Sequence, residues 1–382
     1  MDVSRLLKSV ETKSPWLLAS LRDLVQIESP SEDPAAVNAA MECAASLARS
    51  LGGRIKIHRQ KHHGNVYELR FGPPRPSRSS SARKPILLLG HLDTVWPLGT
   101  LAKMPWRETP TTLHGPGVLD MKAGVIMALT AISALRDLKI NRPITLLLNS
   151  EEEIGSPISR PITERLALAS SAVFVLEPAQ GLAYKTARKG VGHYELHVTG
   201  VGSHSGVDFS RGHSAIRELA RLVETVSSFT DLSRQLTVNV GVFHGGTRSN
   251  IVPAEAHAEV DVRIAKASDA AHVDRLFRRL RVTDPACKLT ITGGINRPPM
   301  ERKAGTIALY KQARTLAAKL GFQLDEAATG GGSDGNFTAA LGIPTLDGMG
   351  AIGEGAHAAH EHILTQHLIP RTTLLAAMLA TT

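Results

Sequence analysis

The segment "ITLLLNSEEEIGS", residues 144–156, joins a continuous apolar run to three consecutive glutamates, Glu151 to Glu153. A continuous apolar run is typical of a strand that is buried on both faces of its sheet. The runs "PILLLG" (85–90) and "SAVFVLEP" (171–178) have the same character and also lead into polar residues. We therefore predict a mostly parallel sheet with carboxylates beyond the ends of its strands.

The segment between the first two of these strands predicts a helix. In "MKAGVIMALTAISALRDLK" (121–139), Val125, Leu129, Ile132 and Leu135 recur at helical spacing. A helix between two parallel strands is the usual crossover of an α/β fold.

The pattern changes near residue 190. The stretches "GHYELHVTG" (192–200), "QLTVNVGVFHGG" (235–246) and "EAHAEVDVRIA" (255–265) alternate apolar and polar residues. Such alternation is typical of an antiparallel sheet with one exposed face. Two further segments, 214–229 and 267–282, have helical patterns, so this region predicts a small α+β domain with a ferredoxin-like arrangement.

The C-terminal part resembles the first half again, with a predicted helix at 305–321 and a short strand at 343–348. The chain therefore predicts a discontinuous catalytic domain with an inserted lid domain. The predicted bounds are 1–189 and 297–382 for the catalytic domain and 190–296 for the insert.

Composition excludes several classes of protein. The 382 residues are 42% hydrophobic, enough for a large core, and the net charge is +9. The basic residues are scattered and only 4% of residues are aromatic, which argues against a nucleic-acid partner. The two cysteines, Cys43 and Cys287, provide neither a disulfide framework nor a cysteine metal site. Any metal must therefore bind through histidine and carboxylate.

The sequence also predicts a cytoplasmic protein without a membrane partner. Residues 1–31 have the pattern of an amphipathic helix with charges throughout, unlike a signal peptide. We see no apolar run of the roughly 20 residues needed to cross a bilayer. The Pro-, Ser- and Arg-rich stretch 73–84 is predicted to be a mobile surface loop.

Polar side chains follow each of the buried strands. His91 and Asp93 follow the run 85–90, and Glu177 follows the run "SAVFVL" (171–176). Because ligands of an open α/β sheet bind beyond the carboxyl ends of its strands, these groups and the glutamates of 151–153 should converge. Several carboxylates at close range raise one another's pKa or require a cation, so we predict a site for divalent metal.

Each of these residues also has a simpler interpretation. His91 alone could be a polar loop residue, although Asp93 two positions later is placed to contact its second ring nitrogen, as beside metal-bound histidines. Asp120, in "LHGPGVLDMKAG" (113–124), could favour the start of a helix through the helix dipole. Its functional alternative is a carboxylate whose two oxygens bridge two metals.

Eight motifs in order carry a resemblance to a known family: "GHLDTV", "GPGVLDMKAG", "SEEEIGS", "VLEP", "GVGSHSG", "TRSNIVPAEAHAEVDVR", "TGGGSDG" and "GAHAAHE". Together they resemble the co-catalytic dizinc hydrolases, which include aminoacylase, succinyl-diaminopimelate desuccinylase, acetylornithine deacetylase and bacterial glutamate carboxypeptidase. The resemblance covers nearly the whole chain. Glu177-Pro178 and "TGGGSDG" are most similar to the folate-cleaving glutamate carboxypeptidases.

The resemblance implies two Zn²⁺ ions per subunit, with Co²⁺ or Mn²⁺ as alternatives. It implies that His91 and Glu177 hold one ion, Glu153 and His357 hold the other, and Asp120 bridges them. The charges of two ions, three carboxylates and a bridging hydroxide then sum to zero, which makes the cluster tolerable.

The resemblance also implies the roles of neighbouring residues. Asp93 would support His91, and Glu152 would be the general base. In "GAHAAHEH", His357 is favoured as the ligand over His360 and His362 because Glu361 follows it at the family's interval of four residues.

The insert carries a further polar set. By resemblance, His204 would reach the active site of a partner subunit and polarise the scissile carbonyl, with Asn250 binding near the same oxygen. Arg263 would hold a substrate carboxylate, and the glycines Gly331 and Gly332 would let the backbone approach the substrate. A loop histidine, a turn asparagine, a strand-face arginine in a salt bridge and a flexible turn remain the simpler alternatives.

The resemblance implies zinc-dependent hydrolysis of an amide or peptide bond that releases a C-terminal amino acid, by attack of a zinc-bridging hydroxide. Arg263 and the positive charge favour substrates with a free carboxylate, such as peptidyl or N-acyl glutamate or aspartate, folate-type compounds included. The alternatives are an N-acyl-amino-acid deacylase, a dipeptidase or an inactive dimeric scaffold. A homodimer through the insert is expected. Glu151 stands where relatives usually have Asp, and we expect it to support its neighbours in the site.

Overall fold

The computed structural model describes residues 2–72 and 83–382. The chain forms two compact units. The first unit contains residues Met1–Ala187, Arg302–Ala328 and Ser333–Thr382, and the second unit contains Arg188–Glu301 and Thr329–Gly332. The predicted arrangement of an α/β part with an inserted α+β part is confirmed, whereas the boundaries predicted for the domains stay a prediction.

Within the described residues the helices are α1 (Val3–Glu11), α2 (Ser14–Val25), α3 (Pro34–Ser50), α4 (Ala123–Asp137), α5 (Arg160–Leu168), α6 (Ala215–Ser227), α7 (Ala270–Arg278), α8 (Ala304–Lys319), α9 (Gly335–Ala340) and α10 (Leu368–Thr381). The strands are β1 (Arg54–His58), β2 (Val66–Phe71), β3 (Ile86–His91), β4 (Arg107–Glu108), β5 (Thr112–His114), β6 (Ile144–Asn149), β7 (Ala172–Val175), β8 (Ala183–Arg188), β9 (Gly190–Thr199), β10 (Ser203–His204), β11 (Thr237–Gly245), β12 (Ile251–Val252), β13 (Glu255–Ile264), β14 (Lys288–Arg297), β15 (Asp325–Thr329), β16 (Thr345–Leu346), β17 (Gly353–Glu354) and β18 (His362–Leu364).

The first unit is built on a six-stranded sheet with the order β1-β2-β6-β3-β7-β16. β3 lies parallel to both β6 and β7, and β16 lies parallel to β7. β2 is antiparallel to β1 and to β6, so its direction is opposite to that of the other five strands of this sheet. The three apolar runs of the sequence are therefore the strands at the centre of a mostly parallel sheet, as predicted.

Both faces of this sheet are covered, which explains why the central strands are apolar throughout. Leu88 and Phe174 point into the larger core, which contains α4, while Leu87 and Val173 point into a smaller core that contains Leu166 of α5. Each residue of β3 and of β6 is buried. Burial of one such leucine side chain contributes roughly 1.5–3 kcal/mol.

The second unit has a four-stranded antiparallel sheet with the order β11-β13-β9-β14. Its apolar residues pack with α6 and α7, as Val260 does with Leu219 and Phe277. Residues of β9 and β13 alternate between buried and more exposed positions, so the other face of the sheet is polar. The sequence patterns did not indicate β14, because the glycines Gly293 and Gly294 interrupt its alternation.

The N-terminal segment differs from the single helix predicted over 1–31. It forms α1 and α2, and Pro15 lies in the first turn of α2. Proline fits the first turn of a helix but not its interior, so the chain ends one helix and begins another. Asp120 likewise lies in a distorted turn, Val118–Lys122, that precedes α4.

Two further expectations concern membrane-spanning segments and the loop predicted over 73–84. The stretch Val118–Asp137 is a helical segment long and apolar enough to cross a membrane, which the sequence analysis had not recognised, but it is buried inside the protein as a core helix. The cytoplasmic localisation stays a prediction. Residues 73–82 of the loop predicted over 73–84 lie outside the described residues.

Candidate active site

The carboxyl ends of the parallel strands carry the polar cluster. His91 is the last residue of β3, Glu152 and Glu153 lie in a short 3-10 turn after β6, and Glu177 follows β7. Parallel neighbours end at the same edge of a sheet, so the strand order alone brings these side chains close together. His357 joins them from the loop before β18, where its φ of 62° is left-handed.

Asp120 lies between two histidines. Its Oδ1 is 3.3 Å from Nε2 of His91, and its Oδ2 is 3.3 Å from Nε2 of His357. A further carboxylate accompanies each histidine: Glu177 Oε1 lies 3.7 Å from His91 Nε2, and Glu153 Oε2 lies 3.2 Å from His357 Nε2. The result is two histidine–carboxylate pairs that share the carboxylate of Asp120.

The carboxylates of the cluster favour positively charged groups beside them. Burial lowers the pKa of His91, but hydrogen bonds with Asp120 and Asp93 outweigh it and hold that pKa well above its usual value. Hydrogen bonds with Asp120 and Glu153 raise the pKa of His357 to about 10. Burial raises the pKa of Asp120, and the two histidines more than reverse this effect. The carboxylates therefore stabilise cations at these positions.

The residues present fit divalent metal ions. One ligand atom each from His91, Asp120 and Glu153 lie within 4.8 Å of one another, and the same holds for His91, Glu152 and Glu177. Glu153 Oε1 is buried and has no hydrogen-bond partner among the described residues, as expected of an oxygen that faces a cation site. Imidazole and carboxylate are the donors that zinc and similar ions bind in proteins.

Asp93 is fully buried beside the cluster and organises it. The Nδ1 atom of His91 lies 3.0 Å from the main-chain carbonyl oxygen of Asp93 and 3.4 Å from its carboxylate. The carboxylate instead accepts the main-chain N–H groups of Glu152 and Glu153, both at 3.1 Å, and the hydroxyl of Ser31 at 2.7 Å. Its contact with His91 is thus made mainly through the main chain, which the sequence did not indicate.

Glu361 holds the turn that carries Asp120. Its buried carboxylate accepts the main-chain N–H groups of Gly117, Leu119 and Asp120 at 2.8–3.1 Å, and the Nε1–H of Trp96 at 2.9 Å. In the sequence, Glu361 indicated only that His357 is the metal ligand. Its spacing of four residues from His357 was the available signal, but the acceptors of a buried carboxylate cannot be identified from spacing.

The Glu151 carboxylate forms hydrogen bonds with residues on both sides of the Glu152–Ile154 turn, and its expected support of Glu152 and Glu153 stays a prediction. Oε2 accepts the hydroxyl of Ser150 at 2.7 Å, and Oε1 accepts the N–H groups of Ile158 and Ser159 at 3.2 and 2.6 Å. Glu151 therefore stabilises the segment that leads into α5, because successive side chains in this turn point in different directions.

His204 and Asn250 belong to the second unit, as do the remaining predicted residues. The exposed ring of His204 accepts the N–H groups of Gly206 and Val207 at Nδ1, each at 3.1 Å. These two bonds require Nδ1 to be unprotonated, so the neutral ring carries its proton on Nε2. The main-chain carbonyl of Asn250 accepts the N–H of Ser205 at 3.0 Å. This hydrogen bond connects the segment that carries His204 to the segment that carries Asn250.

Arg263 forms a salt bridge on the strand face. Its Nε and Nη2 atoms donate to the carboxylate of Asp261 at 2.7–3.1 Å, and its Nη1 lies 3.4 Å from the carbonyl oxygen of Gly330. The neighbouring glycines are not equivalent. A Cβ on Gly332 would lie 2.9 Å from Val191, whereas a Cβ on Gly331 would have space. Only Gly332 is required by close packing.

Comparison with known proteins assigns the chain first to a class: it is a hydrolase that acts on peptide bonds. The model of "Peptidase family M20/M25/M40" matches residues 87–381. The chain belongs to this family, whose metallopeptidase members imply metal use.

Individual relatives agree with this assignment. Carboxypeptidase G2 from Pseudomonas sp. (strain RS-16) is 28% identical over 383 residues, covering 98% of this chain and 91% of its own length. The M20 family metallo-carboxypeptidase Sso-CP2 from Sulfolobus solfataricus has a TM-score of 0.74 at 20% identity, with 95% of this chain and 98% of that chain covered. The aminopeptidase PepT from Bacillus cereus ATCC 10987 has a TM-score of 0.76 at 20% identity, with 95% and 97% covered. The last two similarities concern the fold alone.

Proposed function

We propose that this chain is a zinc-dependent carboxypeptidase that releases a C-terminal glutamate or aspartate from peptidyl or N-acyl substrates. The observation that carries the proposal is the position of Asp120, whose two oxygens face His91 and His357 separately at 3.3 Å. A carboxylate between two histidine–carboxylate pairs has the form of a bridging ligand between two divalent ions. His91 and Glu177 would hold one Zn²⁺, and Glu153 and His357 the other.

Zinc bound here would acidify water and polarise the substrate carbonyl. In the proposed reaction Glu152 accepts the proton of the attacking water and then delivers it to the departing amine. The main-chain bond from Glu152 to Asp93 fixes the start of this turn. Asp93 is therefore a positioning residue, since it orients His91 and both glutamates and touches no reacting atom.

His204 is proposed to stabilise the oxyanion. Its Nδ1 accepts two main-chain N–H groups, which leaves an Nε2–H as an outward donor on an exposed ring. A donor with a fixed tautomer suits the stabilisation of negative charge on a carbonyl oxygen. Asn250 is proposed to bind near the same oxygen.

The preference for an acidic C-terminal residue rests on Arg263 and on the resemblance of Glu177-Pro178 and "TGGGSDG" to the glutamate carboxypeptidases. The guanidinium of Arg263 already shares its Nε and Nη2 donors with Asp261, so a substrate carboxylate would use Nη1 or compete with Asp261. Gly331 and Gly332 are proposed to provide close backbone approach. The second candidate is a dipeptidase or N-acyl-amino-acid deacylase of the same family, since a guanidinium already paired with Asp261 is less available to select an acidic residue.

A homodimer through the second unit is part of the proposal. β11 is an edge strand of its sheet, and Phe243 on this strand is 41% exposed. Phe209, near His204 in sequence, is 67% exposed. An edge strand and exposed aromatic side chains are both suited to contact with a second copy. Sedimentation at several protein concentrations tests this point, and a monomer throughout would contradict it.

The test of function is a hydrolysis screen on zinc-loaded protein. The substrates are N-acyl and peptidyl amino acids that differ only in the C-terminal residue, together with folate-type glutamates. We expect turnover to be highest for C-terminal glutamate or aspartate and to disappear after chelation. Equal turnover of neutral C-terminal residues would support the deacylase or dipeptidase, and no zinc-dependent hydrolysis would contradict the proposal as a whole.

A further inference from the structure

Three histidines form a transverse row on the sheet of the second unit. His244 of β11 pairs directly with His257 of β13, and His257 pairs directly with His197 of β9. Directly paired residues of antiparallel strands point to the same face, with Cβ atoms about 4.5–5.5 Å apart. The three imidazoles therefore stand side by side on three adjacent strands.

This row lies on the open face of the sheet. Ala256 and Ala258, which flank His257, are buried against the helices, whereas His257 and His197 are half-buried and His244 is exposed. The three histidines line a cavity of about 430 Å³. Imidazole rings on the floor of an accessible cavity can be reached by a dissolved ion.

The side chains of the row have no competing partners. Among the residues that the structure describes, none donates to, accepts from or pairs with the rings of His197, His244 and His257. In contrast, His213 and His58 elsewhere in the chain pair with carboxylates at 2.8 and 2.9 Å. The nitrogen lone pairs of the row are thus available for a ligand.

Acidic residues surround the row on the same face. Glu255 is two residues before His257 on β13, and it lines the same cavity. Glu259 is two residues after His257 and pairs directly with Glu195 of β9. Carboxylates at these positions favour a cation over an anion.

We propose that His197, His244 and His257 form a site for a divalent transition metal, separate in sequence and in composition from the cluster around Asp120. Imidazole is the ligand preferred by zinc, copper and nickel, and three histidines with one open or carboxylate position is a common zinc set. The ring nitrogens of the row do not all lie within 4.8 Å of one another in this structure. Binding therefore rotates the rings about their side-chain torsions, which rings that line an accessible cavity can do without moving the strands.

The test measures zinc bound by equilibrium dialysis at a fixed micromolar concentration of free Zn²⁺, on protein whose catalytic metals are already loaded. We expect the wild-type chain to bind one equivalent more than His257→Gln, and His197→Gln and His244→Gln each to weaken that equivalent by at least about tenfold. The difference does not depend on how many ions the catalytic cluster holds.

His193→Gln is the matched control, because His193 lies on the same face of β9, opposite Asp261 and Gly294 and away from the row. It should bind as much zinc as the wild type. Unchanged melting temperatures would show that the variants are folded, as expected for residues outside the core. The proposal is overturned if the triple variant that combines His197→Gln, His244→Gln and His257→Gln binds as much zinc as the wild type, or if His193→Gln loses as much as His257→Gln.

A spectroscopic measurement distinguishes a built site from scattered surface histidines. Co²⁺ bound by several imidazoles with low coordination number has visible absorption bands that solvated Co²⁺ lacks. We expect a Co²⁺ band that disappears in His257→Gln and persists in His193→Gln. Equal bands in both variants would overturn the proposal.

Discussion

The carboxylate of Asp93 accepts the main-chain N–H of Glu152 at 3.1 Å. The second oxygen of Asp93 accepts the N–H of Glu153 at the same distance. One buried side chain thus connects the end of β3, which carries His91, to the turn after β6. The position of the candidate ligands relative to one another depends on this connection.

We expect Asp93→Asn to weaken zinc binding by roughly 10- to 100-fold, because an asparagine has one acceptor oxygen and its NH₂ group would face a main-chain N–H donor. Competition with a chelator of known affinity measures the effect. Ser31→Ala is the control, because it removes only the hydroxyl bond to Asp93 and leaves both main-chain bonds. Wild-type zinc affinity in Asp93→Asn would contradict this role.

The second prediction separates the neighbouring glutamates. Glu152→Ala should keep the bound metals and lower turnover by about 10²–10⁴-fold, the usual contribution of a general base. Glu153→Ala should lower metal occupancy, because its Oε2 lies 3.2 Å from His357 and its Oε1 is buried without a partner among the described residues. Metal analysis and kinetics on the same samples check both. Equal metal loss in the two variants would refute the division of roles.

Much of the architecture could be predicted because it follows from local patterns. Continuous apolar runs identified β3, β6 and β7, and the polar residues at their ends indicated where His91 and Glu177 would meet. The role of Glu151 could not be predicted. Its backbone, at φ −152° and ψ 35°, is neither helical nor extended, and no periodicity describes such a turn.

The same limit applies to long-range hydrogen bonds. Glu361 and Asp120 are 241 residues apart in sequence, and their contact depends on the complete fold. The row of His197, His244 and His257 depends on the register of three strands, which includes an irregularity in β11 between Val240 and Val242. A sequence shows which residues alternate on a strand, but not which residue of the next strand lies opposite.

The third prediction concerns the removal of metal. Chelation should lower the melting temperature, since metals that bind only the folded chain stabilise it by about 4 kcal/mol at a thousandfold excess over Kd. Calorimetry with and without chelator measures the shift, and added Zn²⁺ should reverse it. The control combines His91→Ala and His357→Ala with His257→Gln, so that the metal site proposed on the second unit is removed as well, and this variant should not respond to chelator. An equal shift in this variant would place the stabilising metal elsewhere.

The fourth prediction concerns Glu361. Glu361→Gln should lower the free energy of unfolding by about 1–3 kcal/mol and also weaken metal binding, because the amide NH₂ would oppose one of the N–H donors around Asp120. Denaturant unfolding and zinc titration measure the two effects. Trp96→Phe removes a single donor and leaves the three main-chain bonds of Glu361, so it should retain metal affinity. Identical zinc affinity in Glu361→Gln and wild type would show that Glu361 does not position Asp120.

The fifth prediction follows from the hydrogen bonds of Glu151. Glu151→Asp shortens the side chain by one methylene, so its carboxylate cannot reach Ser150 and the N–H groups of Ile158 and Ser159 together. We expect a loss of about 1–3 kcal/mol in the free energy of unfolding, the cost of leaving buried donors unpaired, with metal content unchanged. Denaturant unfolding and metal analysis measure these quantities. Glu164→Asp, on the surface of α5, is a matched control for the loss of one methylene and should be nearly neutral. Altered metal content in Glu151→Asp with unchanged stability would contradict this prediction. It would show that Glu151 supports the metal ligands and not the segment before α5.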